Sequence, residues 1–134
     1  MEKPFIEDEV VELKEEAATI IPLRWHLYIV DLEPCIRTKP GKRRPCICIQ
    51  PSKVCVAGHD SAIIIPLTTK ATPEDIFLKR IKVPKGTCGL EKGGTALIDR
   101  MIAWDKSFFK KDLGEIPINL QEILKSALRD FLDL

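Results

Sequence analysis

The 134-residue chain predicts a mostly β, α+β fold: a small, mostly antiparallel barrel closed by a C-terminal amphipathic helix, with an extra helix at the N-terminus. Three observations carry this. Short β-prone runs follow one another with Pro or Gly in almost every gap. No helix-length crossover separates them, which excludes a doubly wound parallel sheet. Only the two ends of the chain show helical spacing.

In chain order, Ile6, Val10, Leu13, Ala17 and Ile20 or Ile21 recur at helical spacing, and Pro22 stops the segment. Residues 1–22 are thus read as an acidic helical extension and residues 23–134 as the barrel domain. Within the domain, Leu23–Leu32, Pro45–Gln50, Ser61–Thr68, Phe77–Val83 and Thr95–Asp99 read as strands. After Pro117, Asn119 is positioned to cap a helix over 119–133, with Glu122 three residues on. Leu120, Ile123, Leu124, Ala127, Leu128, Phe131 and Leu132 form its apolar stripe.

Composition narrows the function class. Apolar residues make up 45% and charged residues 31%, enough for a packed core and too apolar for a disordered chain. No apolar run reaches the roughly 18–20 uncharged residues a bilayer span requires, and the Glu-rich start lacks a signal-peptide pattern; a cytoplasmic protein away from the membrane is expected. Five cysteines, without C-x-x-C pairs or histidines at zinc spacing, disfavour a disulfide framework or a zinc ribbon. Cys46 and Cys48 lie two apart, so in a strand both point to one face, as small reduced hydrophobes.

The net charge is only +1, but it is unevenly spread. Residues 2–16 hold seven acids against Lys3 and Lys14, whereas residues 37–44 hold Arg37, Lys39, Lys42, Arg43 and Arg44 and no acid. This asymmetry points to an anionic ligand. The acidic head reads either as a solvated helix packed on the barrel or as an internal competitor lying over the basic surface.

Four segments carry candidate chemistry. Gly41-Lys42-Arg43-Arg44-Pro45 leads a basic loop into a strand, and an arginine at such a boundary can grip a phosphate with two parallel hydrogen bonds. Ile63-Ile64-Ile65-Pro66-Leu67-Thr68-Thr69 ends a strand in two hydroxyls, either phosphate contacts or a simple strand end. Gly89 to Asp99 feeds a strand ending in a carboxylate, with Arg100 beside it. His26 opens a β element, where a satisfied structural imidazole and a general base are both open; His59 reads as a hairpin tip.

Taken in order, these segments resemble the MazF/PemK family of ribosome-independent mRNA interferases, the toxin halves of type II toxin–antitoxin systems. The family's opening pattern, R-G-D/E-I/V-W/Y-x-V/A-D-L-x-P, is matched by Arg24 to Pro34, and its G-x-x-R-P by Gly41 to Pro45. P-L/V-T-S/T is matched by Pro66 to Thr69, and G-L/F-D/E-K/R-x-S/G by Gly89 to Gly94. The departures are as concrete. Trp25 replaces the opening glycine, His26 an acid, and Arg37-Thr38-Lys39-Pro40 the usual G-S-E-Q, while in the D-Q-x-R pattern Asp99 is kept with Arg100 and Ile102 in place of the Gln and Arg.

The resemblance implies a Src-homology-3-like barrel of MazF/PemK/CcdB type, usually a homodimer with a cognate antitoxin. It implies metal- and cofactor-independent cutting of single-stranded RNA to a 2′,3′-cyclic phosphate and a 5′-hydroxyl. By position, Arg44 matches the catalytic arginine and Thr68 the phosphate-contacting threonine. His26 and Asp99 are the weaker candidates for proton transfer, and Arg37, Lys39, Lys42, Arg43, Thr69 and Arg100 the RNA-binding set. The alternative is a catalytically weak or inactive relative that keeps the barrel as an RNA- or protein-binding module.

Overall fold

A computed structural model describes residues 19–33 and 42–134 of the chain. The predicted N-terminal helix lies almost wholly outside the described residues, as do Arg37 and Lys39. The strands are β1 (His26–Glu33), β2 (Lys42–Cys48), β3 (Ser61–Thr68), β4 (Ile81–Val83), β5 (Gly94–Ala96), β6 (Ile102–Asp105) and β7 (Phe109–Glu115). A short helix α1 (Ser52–Val56) links β2 to β3, and α2 (Ile118–Leu132) ends the fold.

Every strand pairing is antiparallel, in the order β4-β5-β3-β2-β1-β7, with β6 also on β3. The far edge of β3 is shared: β6 pairs with Ser61–Ile64 and β5 with Leu67 and Thr68. Among the described residues β4 and β7 do not pair with each other, so the predicted barrel is an unclosed sheet.

The central strands are buried on both faces, and alternation sorts their side chains into two cores. Leu27, Ile47, Ile65 and Leu67 point to one side, where Leu120, Leu124 and Ala127 of α2 cover them. Their i, i+4, i+7 spacing sets this face of the helix against the sheet. Tyr28, Val30, Cys46, Cys48, Ala62 and Ile64 point to the other side, joined by Cys55 and Phe109. Burying each Leu or Ile contributes about 1.5–3 kcal/mol, so α2 is held chiefly by packing. Cys46 and Cys48 are fully buried, and burial pushes both thiols up to about 12; they are hydrophobes here, as expected.

The structure corrects the expected elements in four places. Only Ile81–Val83 of the predicted Phe77–Val83 strand is extended. Upstream, Thr72 and Asp75 bond reciprocally around a 3₁₀ turn over Pro73–Asp75, and the chain turns again through Lys79 at φ 58°. The run at Thr95–Asp99 leaves the sheet after Ala96 and enters a 3₁₀ turn over Ile98–Arg100. Helix α2 starts one residue earlier than predicted and is capped through the Pro117 carbonyl, not the Asn119 side chain. Strands β6 and β7 went unforeseen: β6 is only four residues long and mostly exposed, and much of β7 is exposed and charged, leaving little apolar alternation to read.

Trp25 shows what the resemblance hides. The family pattern has glycine here, and the backbone is indeed left-handed, at φ 70°. A side chain in that region costs about 1–2 kcal/mol. Burying the indole in the first core, with its backbone N–H donating to the Cys48 carbonyl at 2.7 Å, offsets that cost.

Candidate active site

The second face of the sheet ends in a basic cleft. Cys46 pairs with Pro66 across β2 and β3, and continuing that register two residues outward sets Arg44 opposite Thr68. Alternation keeps both on the face of Cys46 and Ala62, beyond the last apolar layer.

Two recesses adjoin there. One, of about 240 Å³, is bounded by Lys42, Arg43, Pro45, Leu67, Thr69 and Gly93; the other, of about 230 Å³, by Leu32, Pro66, Leu97 and Arg100. Arg44 and Thr68 belong to both and stand on the ridge between them. Four cationic side chains line the pair, and among the described lining residues there is neither a carboxylate nor an imidazole. Such a surface attracts an anion strongly.

Arg44 is half-buried, and among the described residues its guanidinium makes one long contact, Nη1 donating to the Leu67 carbonyl at 3.5 Å. That contact steadies the guanidinium without using up its donors. The Thr68 hydroxyl oxygen accepts from the Lys70 backbone N–H at 3.2 Å. Among the described residues no acceptor takes its own proton, which can be donated to a phosphate oxygen. Gly93 can line the cleft only as glycine: at φ 70°, a Cβ there would lie 2.5 Å from the Val83 carbonyl oxygen.

Over residues 23–132 the chain matches the family model of PemK-like, MazF-like toxins of type II toxin–antitoxin systems. The chain belongs to this family. The Mycobacterium tuberculosis protein named Endoribonuclease MazF6 is 27% identical over 115 residues, 83% of this chain and 96% of that one; the Mycobacterium bovis Endoribonuclease MazF2 is similar to the same extent. The crystal structure of MazF from Deinococcus radiodurans shares the fold with a TM-score of 0.67 at 21% identity, covering 86% of this chain and 99% of that one. A mycobacterial endoribonuclease in complex with its cognate antitoxin does so at 0.66 and 18%, covering 84% and 96%.

In this MazF-like toxin the cleft gathers Arg44, Thr68, Lys42, Arg43, Thr69 and Arg100, six of the ten residues singled out in the sequence. His26 and Asp99 line neither recess. His26 lies four residues, about 13 Å, along β1 from Val30, the cross-strand partner of Arg44. Its Nδ1 pairs with the Asp112 carboxylate of β7 at 3.0 Å, the satisfied structural alternative. Asp99 accepts two parallel hydrogen bonds from Arg80, at 2.8 and 2.9 Å. Those bonds hold its carboxyl below the usual carboxylate range, which makes it a poor base. Arg80, 8% exposed, also reaches Asp75 at 3.3 Å. This knot was not foreseen, because Asp75 and Arg80 carry no motif and Arg80 reaches Asp99 from 19 residues away.

Proposed function

We propose that the chain is an endoribonuclease toxin that cuts single-stranded RNA at the Arg44–Thr68 ridge, leaving a 2′,3′-cyclic phosphate and a 5′-hydroxyl. The carrying observation is the meeting of an arginine and a threonine whose guanidinium and hydroxyl proton are little used by the described residues, in a cleft whose described charged lining is all cationic.

In this reaction the 2′-oxygen attacks the adjacent phosphorus and loses its proton. The P–O5′ bond breaks, and O5′ gains a proton. Negative charge accumulates on the phosphorane oxygens between these events, and fixed donors aimed at it lower the barrier. Arg44 supplies the charge and the planar fork, Thr68 donates its hydroxyl to a non-bridging oxygen, and Lys42, Arg43, Thr69 and Arg100 hold the flanking backbone. Among the described residues bordering the two recesses no side chain is suited to the proton transfers, so His26 and Asp99 are not assigned to them. RNA is the substrate, and a cognate antitoxin and a second copy of the chain are the protein partners that family membership supports.

The test is to incubate the protein with long unstructured RNA in EDTA and map new ends, with Arg44→Ala in parallel. Discrete cuts bearing 5′-hydroxyl ends that vanish in the variant are expected. RNA retained without new ends in the wild type would replace this reading with a binding module.

A further inference from the structure

Ile76 and Phe77 are 88% and 82% exposed, yet they sit on a braced loop. Thr72 and Asp75 clasp one another at its start, the Leu78 N–H donates to the Glu74 carbonyl at 2.9 Å, and the Arg80 N–H donates to the Asp75 carbonyl at 2.9 Å. The Arg80 guanidinium ties the loop's end to Asp99. Both ends adjoin the cleft: Thr68 and Thr69, where the loop begins, line it, and so does Arg100, next to Asp99. Lys70, Lys79 and Lys82 are exposed on the same segment, where Glu74 is the one acid outside the Arg80 knot.

A large aromatic ring held in water on a rigid support, among cations and beside a phosphate-binding cleft, suits an unpaired nucleobase, because every base offers a π-face while its backbone needs positive charge. We infer that Phe77 is a stacking platform for a base flanking the scissile phosphate, with Ile76 packing beside it and Lys79 and Lys82 contacting the backbone. The inference rests on the RNA reading above and adds a subsite outside the ridge. Serving every base alike, this platform contributes affinity and register, not sequence choice.

The test titrates a labelled single-stranded RNA, 2′-O-methylated throughout so that the 2′-oxygen cannot attack, with full-length wild type, Phe77→Ala and Phe77→Trp. At so exposed a position, truncation leaves the fold intact. Phe77→Ala is expected to weaken binding about tenfold with an unchanged salt slope, since no phosphate contact is lost. Phe77→Trp should bind at least as well as wild type, its added emission quenched by RNA. Wild-type affinity in Phe77→Ala, or no quenching in Phe77→Trp, overturns the inference. A weakened Phe77→Ala whose sedimentation also changes overturns it too, in favour of a protein contact. A wild type that binds no RNA fails the functional reading itself and is thereby told apart.

Discussion

Arg44 and Arg80 are two half-hidden arginines at the same end of one sheet, and they are employed in opposite ways. Arg80 spends its guanidinium on Asp99 and Asp75, with two bonds to Asp99 under 3.0 Å. Among the described residues the Arg44 guanidinium has a single contact, to a carbonyl at 3.5 Å, and no acid in its cleft. Arg80 fixes the loop that follows Thr69; most of Arg44's donors are left unused by the described residues. An arginine's role is thus set by how many of its five donors the protein itself consumes.

The largest expected effect falls on the free arginine. Arg44→Ala should lower the cleavage rate about 10²–10³-fold, the cost of removing one preorganised donor from a developing anion. Its thermal midpoint should stay close to wild type, because only a long backbone contact is lost. Arg44→Lys retains the charge but not the fork, and its rate should fall between the two. A lysine variant as slow as the alanine variant would show that geometry, not charge, carries the step.

Breaking the saturated arginine should do the reverse. Asp99→Asn leaves a largely buried guanidinium short of its main partner, a loss of about 1–3 kcal/mol, read by urea unfolding at pH 7. Cleavage per folded molecule should fall far less than in Arg44→Ala. Asp99 is also a pH probe with a defined sign. Its folded pKa is depressed, so its contribution is complete above the unfolded value of about 3.9 and is lost as pH falls through the folded value. The gap between wild type and Asp99→Asn should therefore narrow below about pH 4, and a gap that widens in acid would contradict the pairing.

The contrast between the two arginines also marks what could be read in advance. Strands whose side chains alternate against a core, such as Leu27 to Val30 or Cys46 to Cys48, announced themselves because burial imposes a period. The cleft residues were legible through motif order, since the motifs holding Lys42–Pro45 and Pro66–Thr69 fall at the paired ends of β2 and β3. The Arg80 knot was not, because an ion pair between distant segments leaves no trace in local pattern. Asp99 misled for the same reason: a carboxylate at a strand end looks alike whether it is free or held by a guanidinium brought in from elsewhere. The exposed strands β6 and β7 were missed because edge position weakens alternation.

The smallest effect tests how Thr68 divides its hydroxyl. The oxygen accepts from the Lys70 N–H at 3.2 Å and a phosphate oxygen can only accept, so the hydroxyl serves the substrate through its proton, and the methyl group has no assigned part in the reaction. Thr68→Ser keeps the proton and should retain most of the rate. Thr68→Val keeps the shape and removes both the acceptor and the donor; the Lys70 N–H, exposed, turns to water at little cost, so the loss should fall on catalysis at about tenfold, the worth of one hydrogen bond to a charged oxygen. Equal losses in the two variants would instead make the methyl contact the important one. In a double variant with Arg44→Ala, the Thr68→Val effect should shrink well below tenfold, since two donors to one phosphate act as a unit and are not additive.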